Sequence, residues 1–184
     1  MSQSPAWNLT YMILTGLVVL VALYSDLRWR RVFNYITLPV MLTGLVLHTI
    51  DGGLAGLVFS LKGLAVGLGM LVFIAFLGKA MGGGDLKLFM AIGTLQGPGM
   101  LLWIIGYSAI AGGIIALLIA LLNGIVKESV HNVFFTLFER FALNTPMDMA
   151  QGNPKAKFPY VIAIFFGVLI TSIIYQPWLV QNTG

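Results

Sequence analysis

The chain has 184 residues, 59% of them hydrophobic and 9% charged, with a net charge of +4 and no cysteine. A soluble domain carries roughly 25% charged residues, so this composition excludes a water-soluble globule, and the positive charge reads as membrane topology rather than as a nucleic-acid footprint; no nucleic-acid partner is expected. The absence of cysteine excludes a disulfide framework, a cysteine-based zinc site and a thiol nucleophile.

Several apolar stretches approach or reach the ~20 residues that a helix needs to cross a bilayer. In lipid each segment must satisfy its own backbone amides, and the alternation typical of a membrane β-barrel is absent. An all-α polytopic membrane protein follows, with a single domain over residues 1–184 and six spans. The first runs from about Trp7 to Tyr24 and, lacking a basic segment before it, reads as a retained helix rather than a cleaved signal. The second spans about Phe33 to Ile50. Asp51-Gly52-Gly53 turns the chain into a third, from about Leu54 to Leu77. A short fourth span begins near Asp85 and ends near Leu95. Gln96-Gly97-Pro98-Gly99 is a strong turn signal, followed by a fifth span from about Met100 to Leu122. After a loop at about 123–157, the sixth runs from about Phe158 to Tyr175.

Charge tests that count. With Arg28, Arg30 and Arg31 inside, alternation also puts Lys79, Lys87, Lys127, Arg140, Lys155 and Lys157 inside, nine of the ten basic residues. Lys62 is the exception, within the third span toward its outer end, where snorkelling suits it. Both termini then fall outside and the 123–157 loop is cytoplasmic. In that loop Val130, Val133, Phe134, Leu137, Phe138 and Phe141 recur at helical spacing, which predicts a helix at 129–142 lying in the membrane surface.

Six acids exist: Asp26, Asp51, Asp85, Glu128, Glu139 and Asp148. An ionisable group at the edge of a span is costly and is a functional candidate by default. Asp26 closes the first span and Asp85 opens the fourth, so the topology brings both to the cytoplasmic interface. Two neighbouring carboxylates cannot both ionise easily and come to share a proton. The ionised member of such a pair can draw a proton from water while the protonated member polarises a peptide carbonyl. This chemistry needs no cofactor, metal, cysteine or serine. Each acid also has an ordinary reading: Asp26 as an ion-pair partner of Arg28 or Arg30, Asp85 as a helix N-cap. Asp51 reads as part of an outer turn, and Glu128 and Glu139 as the solvated side of the surface helix.

The segment Met81-Gly82-Gly83-Gly84-Asp85-Leu86-Lys87-Leu88 contains Gly-x-Gly-Asp. It resembles the motif of membrane aspartic proteases in the form found in type IV prepilin peptidases. Ser25-Asp26-Leu27-Arg28-Trp29-Arg30-Arg31-Val32-Phe33-Asn34 resembles that family's first aspartate segment; Asn34 is kept, but Val32-Phe33 stands where Ile-Pro is expected. Phe158-Pro159-Tyr160, with Ala163 and Gly167, resembles the start of its last helix. The resemblance covers about Asp26 to Gly167.

It implies a leader peptidase with Asp26 and Asp85 as catalytic pair and Gly82, Gly83 and Gly84 as site backbone, open to close approach by an extended substrate. Asn34 and Lys87 would support the site. Lys87 has two readings, holding Asp85 ionised or snorkelling to a headgroup. The implied partners are a prepilin or pseudopilin, the lipid bilayer and the pilus-assembly machinery. The implied location is the bacterial inner membrane, with the site facing the cytoplasm. With no cysteine and only eight residues between Tyr24 and Phe33, the chain resembles the short, peptidase-only form of tight-adherence (Flp-type) pilus systems.

Other polar and small residues carry less. His48, at the outer end of the second span, reads as interfacial, and His131 as solvated. Gly63 and Gly67, like Gly112 and Gly113, read as close helix packing. Two other functions fit an apolar chain with two acids: a small proton- or cation-coupled transporter, which requires ionisable groups near mid-membrane and matching broken helices, and a non-catalytic pilus-assembly protein. Both aspartates instead lie at span ends, and no internal repeat is evident.

Overall fold

A computed structural model describes residues 5–76, 83–122 and 160–181. These form four helices: α1 (Pro5–Trp29), α2 (Asn34–Phe76), α3 (Gly83–Leu122) and α4 (Val161–Gln181). The fold is all-helical among the described residues. Three helices are long and apolar enough to cross a membrane, over Leu9–Trp29, Asn34–Met70 and Gly83–Ile119. The predicted surface helix at 129–142 lies outside the described residues, as do Gly82, Lys79 and His131.

α2 and α3 each break at one glycine. In α2 it is Gly53 (φ 58°, ψ −140°) and in α3 Gly97 (φ 75°, ψ 176°), both inside the turns predicted from sequence. Positive φ is open to glycine at no steric cost. α2 folds back on itself there: the His48 and Phe59 rings lie 5.3 Å apart, whereas eleven residues of straight helix would separate them by about 16 Å. In α3 Pro98 follows the glycine and cannot supply an amide hydrogen to Thr94.

The arm of α3 before that break is the centre of the molecule. Leu86, Leu88, Phe89, Ala91, Ile92 and Leu95 are all buried along it. Around it, Val19 and Ala22 of α1, Leu101 and Ile104 of the second α3 arm, and Val161, Ile164 and Val168 of α4 complete one apolar cluster. Leucines elsewhere point outward, among them Leu17, Leu42 and Leu117. Against lipid such exposure costs nothing, so helix association here rests on tight packing rather than on water exclusion. Gly63 in the second arm of α2 meets the Gly93 carbonyl, and Gly67 packs on Met90. The pair does what its spacing suggested. It lets two backbones touch.

The break at Gly97 leaves carbonyl oxygens at the end of the central arm without intrahelical donors. Ser60 Oγ donates to the Thr94 carbonyl at 2.8 Å, and His48 Nε2 bonds the Leu95 carbonyl at 2.9 Å. Since a carbonyl can only accept, His48 carries its proton on Nε2. Gln96 Nε2 donates to Thr15 Oγ1 at 2.9 Å and to the Tyr11 carbonyl at 3.3 Å. His48, read from sequence as interfacial, faces the inside of the bundle. It is buried, stacked on Tyr11 with ring centroids 4.2 Å apart, because the severed carbonyls need a donor from a neighbouring helix.

Candidate active site

Opposite that capped end lies the end of the bundle that carries both aspartates. α1 closes with Arg30 in the left-handed conformation (φ 52°), its amide donating to the Asp26 carbonyl at 2.7 Å. This is the single-bond helix ending that glycine usually provides. Ser25 Oγ donates to the Arg31 carbonyl at 2.7 Å, which folds the connection back over the end of the helix. Val32 then packs against Gly84, where an added Cβ would lie 3.1 Å from the Val32 Cβ. Asn34 Oδ1 accepts from Lys87 Nζ at 2.8 Å. Thus the two residues named as supporting from sequence meet each other and latch the start of α2 to the start of α3. The Lys87 ammonium is used there.

Register sets the level of the two acids. The core cluster and the Gln96–Thr15 bond show α1 and the central arm running in opposite directions. Eleven residues separate Thr15 from Asp26, and eleven separate Gln96 from Asp85. Both acids therefore lie about 16 Å along the bundle from one shared contact, at a common level. α3 begins at Gly83, so Asp85 sits inside its first turn rather than at the cap. An acid there suits the positive end of the helix dipole.

Asp26 is buried, at 8% exposure. The Val161 amide, at the start of α4, donates to its carboxylate, and the Arg30 charge acts on it. Its Oδ2 has no hydrogen-bond partner among the described residues. Tyr160, just before α4, packs on the cluster that holds Leu88 and Phe89, one turn beyond Asp85, and its ring faces Gly112. The Asp85 charge acts on its phenol. Gly83 has open space where a side chain would begin. The start of α4 thus stands beside both acids.

Tyr160, Val161 and Arg30 were not singled out as site residues from sequence. Tyr160 belonged to the segment resembling the family's last helix, which was its one signal. A backbone amide such as that of Val161 leaves no signature in side-chain pattern.

The profile of the type IV leader peptidase family matches residues 13–117, more than half of the chain. The chain belongs to that family. The match includes Asp26, Asn34, the Gly83-Gly84-Asp85 run and Lys87, and ends before α4. As a type IV leader peptidase it is a protease, and its apolar helices fit a membrane protein. Neither the curated proteins nor the solved structures gave a match.

Proposed function

We propose that this leader peptidase is an aspartic endopeptidase that removes the leader of type IV prepilins or pseudopilins at the cytoplasmic face of the inner membrane, with Asp26 and Asp85 as its catalytic pair. Six spans are inferred, two each from α2 and α3, with the Gly53 and Gly97 breaks on the outer side. The observation that carries the reading is the common level of two acids from separate helices, both beside the start of α4.

In this mechanism the ionised carboxylate takes a proton from water as the water oxygen attacks the scissile carbonyl carbon. The protonated carboxyl stabilises the developing oxyanion. The tetrahedral adduct collapses as a proton passes to the leaving nitrogen, giving a new carboxyl end and a new amine. The pair titrates jointly, so neither acid owns the proton. Backbone at Gly82, Gly83 and Gly84 would hold the substrate as an extended strand through main-chain hydrogen bonds, with the Asn34–Lys87 latch fixing the segment. Placing the cut at the membrane surface lets the basic leader stay in water while the pilin stem stays in lipid.

The test is leader loss from a co-expressed prepilin by wild type, Asp26→Asn and Asp85→Asn. Each substitution is expected to lower processing by at least about 100-fold, the scale of a lost acid–base group, with normal membrane abundance. Processing that survives either change sinks the reading. Abundance-matched loss in both also removes an assembly-scaffold role.

A further inference from the structure

Hydroxyl groups in these helices share a habit. Thr15, Thr43, Thr49 and Thr171 each return theirs to the carbonyl four residues back, on Tyr11, Pro39, Leu45 and Gly167, at 2.7 to 2.8 Å. That is the local bond a helical hydroxyl commonly makes. Ser25 departs from it. Buried at 2% exposure, it reaches six residues forward to the Arg31 carbonyl at 2.7 Å. The Arg30 amide donates to the carbonyl of Asp26, also at 2.7 Å. The turn after α1 is thus tied down by the acid and by the residue before it. Beyond those ties Val32 meets Gly84. A Cβ built on Gly84 would lie 3.1 Å from Val32 Cβ, 3.2 Å from its nitrogen and 3.3 Å from its oxygen. Backbone as well as side chain comes close, and a glycine leaves that approach unstrained. Two residues on, Asn34 accepts from Lys87. The connection therefore grips α3 on either side of Asp85, at Gly84 and at Lys87.

We propose that Ser25 is a positioning residue of the peptidase: its bond to the Arg31 carbonyl holds Val32 against Gly84 and so sets the start of α3, with Asp85, against the end of α1, with Asp26. This rests on the assignment of Asp26 and Asp85 as the catalytic pair. Two carboxyls that act on one water and one carbonyl must be held to within about 0.5 Å, and a misplacement of about 1 Å can cost ~100-fold in rate. The Gln96–Thr15 bond between α1 and the central arm lies about 16 Å away along the bundle, so the aspartate end depends on ties of its own. Of the two ties to α3, the Asn34–Lys87 bond is exposed and competes with water. The Val32–Gly84 contact is backed by the buried Ser25 hydroxyl. Alanine at position 25 suits a helix and removes only that bond.

The experiment has two readouts on the purified full-length chain in detergent. One is cleavage of a prepilin by wild type, Ser25→Ala, Thr43→Ala and Asp26→Asn. The other is the distance between spin labels on Leu27→Cys and Gly83→Cys, which the absence of native cysteine makes specific. Leu27 is exposed, and Gly83 has open space for a side chain. Ser25→Ala is expected to broaden the label distances and to lower kcat at least about tenfold. KM should stay unchanged, because a buried serine meets no substrate. Thr43→Ala, which removes an exposed hydroxyl bond within α2, should alter neither readout. Should Ser25→Ala fail to fold, Gly84→Ala pushes on the same contact from the α3 side and is read in the same way. Unchanged label distances overturn the proposal and leave the acid pair standing. Broadened distances with wild-type kcat overturn it too, provided Asp26→Asn is inactive. An active Asp26→Asn enzyme overturns both the pair and the proposal.

Discussion

Arg30 is the single residue other than glycine with a left-handed backbone among those described. Such a conformation costs a side-chain-bearing residue roughly 1–2 kcal/mol, and strain of this kind collects where function holds a residue in place. Here the same residue brings its charge to Asp26. Arg30→Gly should therefore separate the two effects. The thermal midpoint in detergent is expected to rise, by the equivalent of about 1 kcal/mol, while leader cleavage falls several-fold. A lower midpoint would show that the turn is not strained. At this scale the sequence was informative about the acids and poor about their partners. Asp26 and Asp85 stand out because charge is rare in the chain, whereas the Val161 amide and the Asn34–Lys87 bond depend on segments 135 and 53 residues away.

At the scale of the element, the central arm runs 14 residues from Gly83 to the residue before Gly97. It spans about 21 Å, less than the ~30 Å hydrocarbon core. A helix that short and that buried needs its ends satisfied by other helices. Ser60 and His48 do so at its far end. Ser60→Ala, which strands the Thr94 carbonyl, should lower stability by about 1–3 kcal/mol, read as unfolding in detergent with increasing denaturant. His48→Phe keeps a ring against Tyr11 and should cost a similar amount. Wild-type stability in both would mean that the severed carbonyls find other donors. The break itself was legible, since Gly97-Pro98 is strong punctuation. The caps were not, because burial of a polar residue follows from which helix faces it, and His48 read alone resembled a residue at the membrane surface.

For the whole molecule, the hydropathy pattern that makes each helix recognisable also hides how the helices are arranged. Nearly every face is apolar, so lipid-facing Leu42 and core Leu88 look alike in sequence. What distinguishes the inside is small size, as where Gly63 meets Gly93. Gly63→Leu should therefore disrupt the molecule, sharply reducing the folded fraction recovered from membranes, while Leu42→Ala should leave it close to wild type. Size-exclusion profiles of the two in detergent would show this, and equal profiles would contradict the packing described. Family membership, by contrast, was legible from a few residues, because the Gly-x-Gly-Asp run and the first aspartate segment both stay local in the chain.

The matching eleven-residue intervals from Thr15 to Asp26 and from Asp85 to Gln96 have a consequence for how this chain can change over generations. Because the two rods are tied at Thr15 and Gln96, losing or gaining one residue in either interval would turn an acid by about 100° and slide it by about 1.5 Å. Substitutions can accumulate along both intervals, but insertions and deletions are admissible only in compensating combinations. Length variation is therefore confined to the stretches outside them, which leaves two ungapped blocks as the fixed frame on which the rest of the sequence can drift.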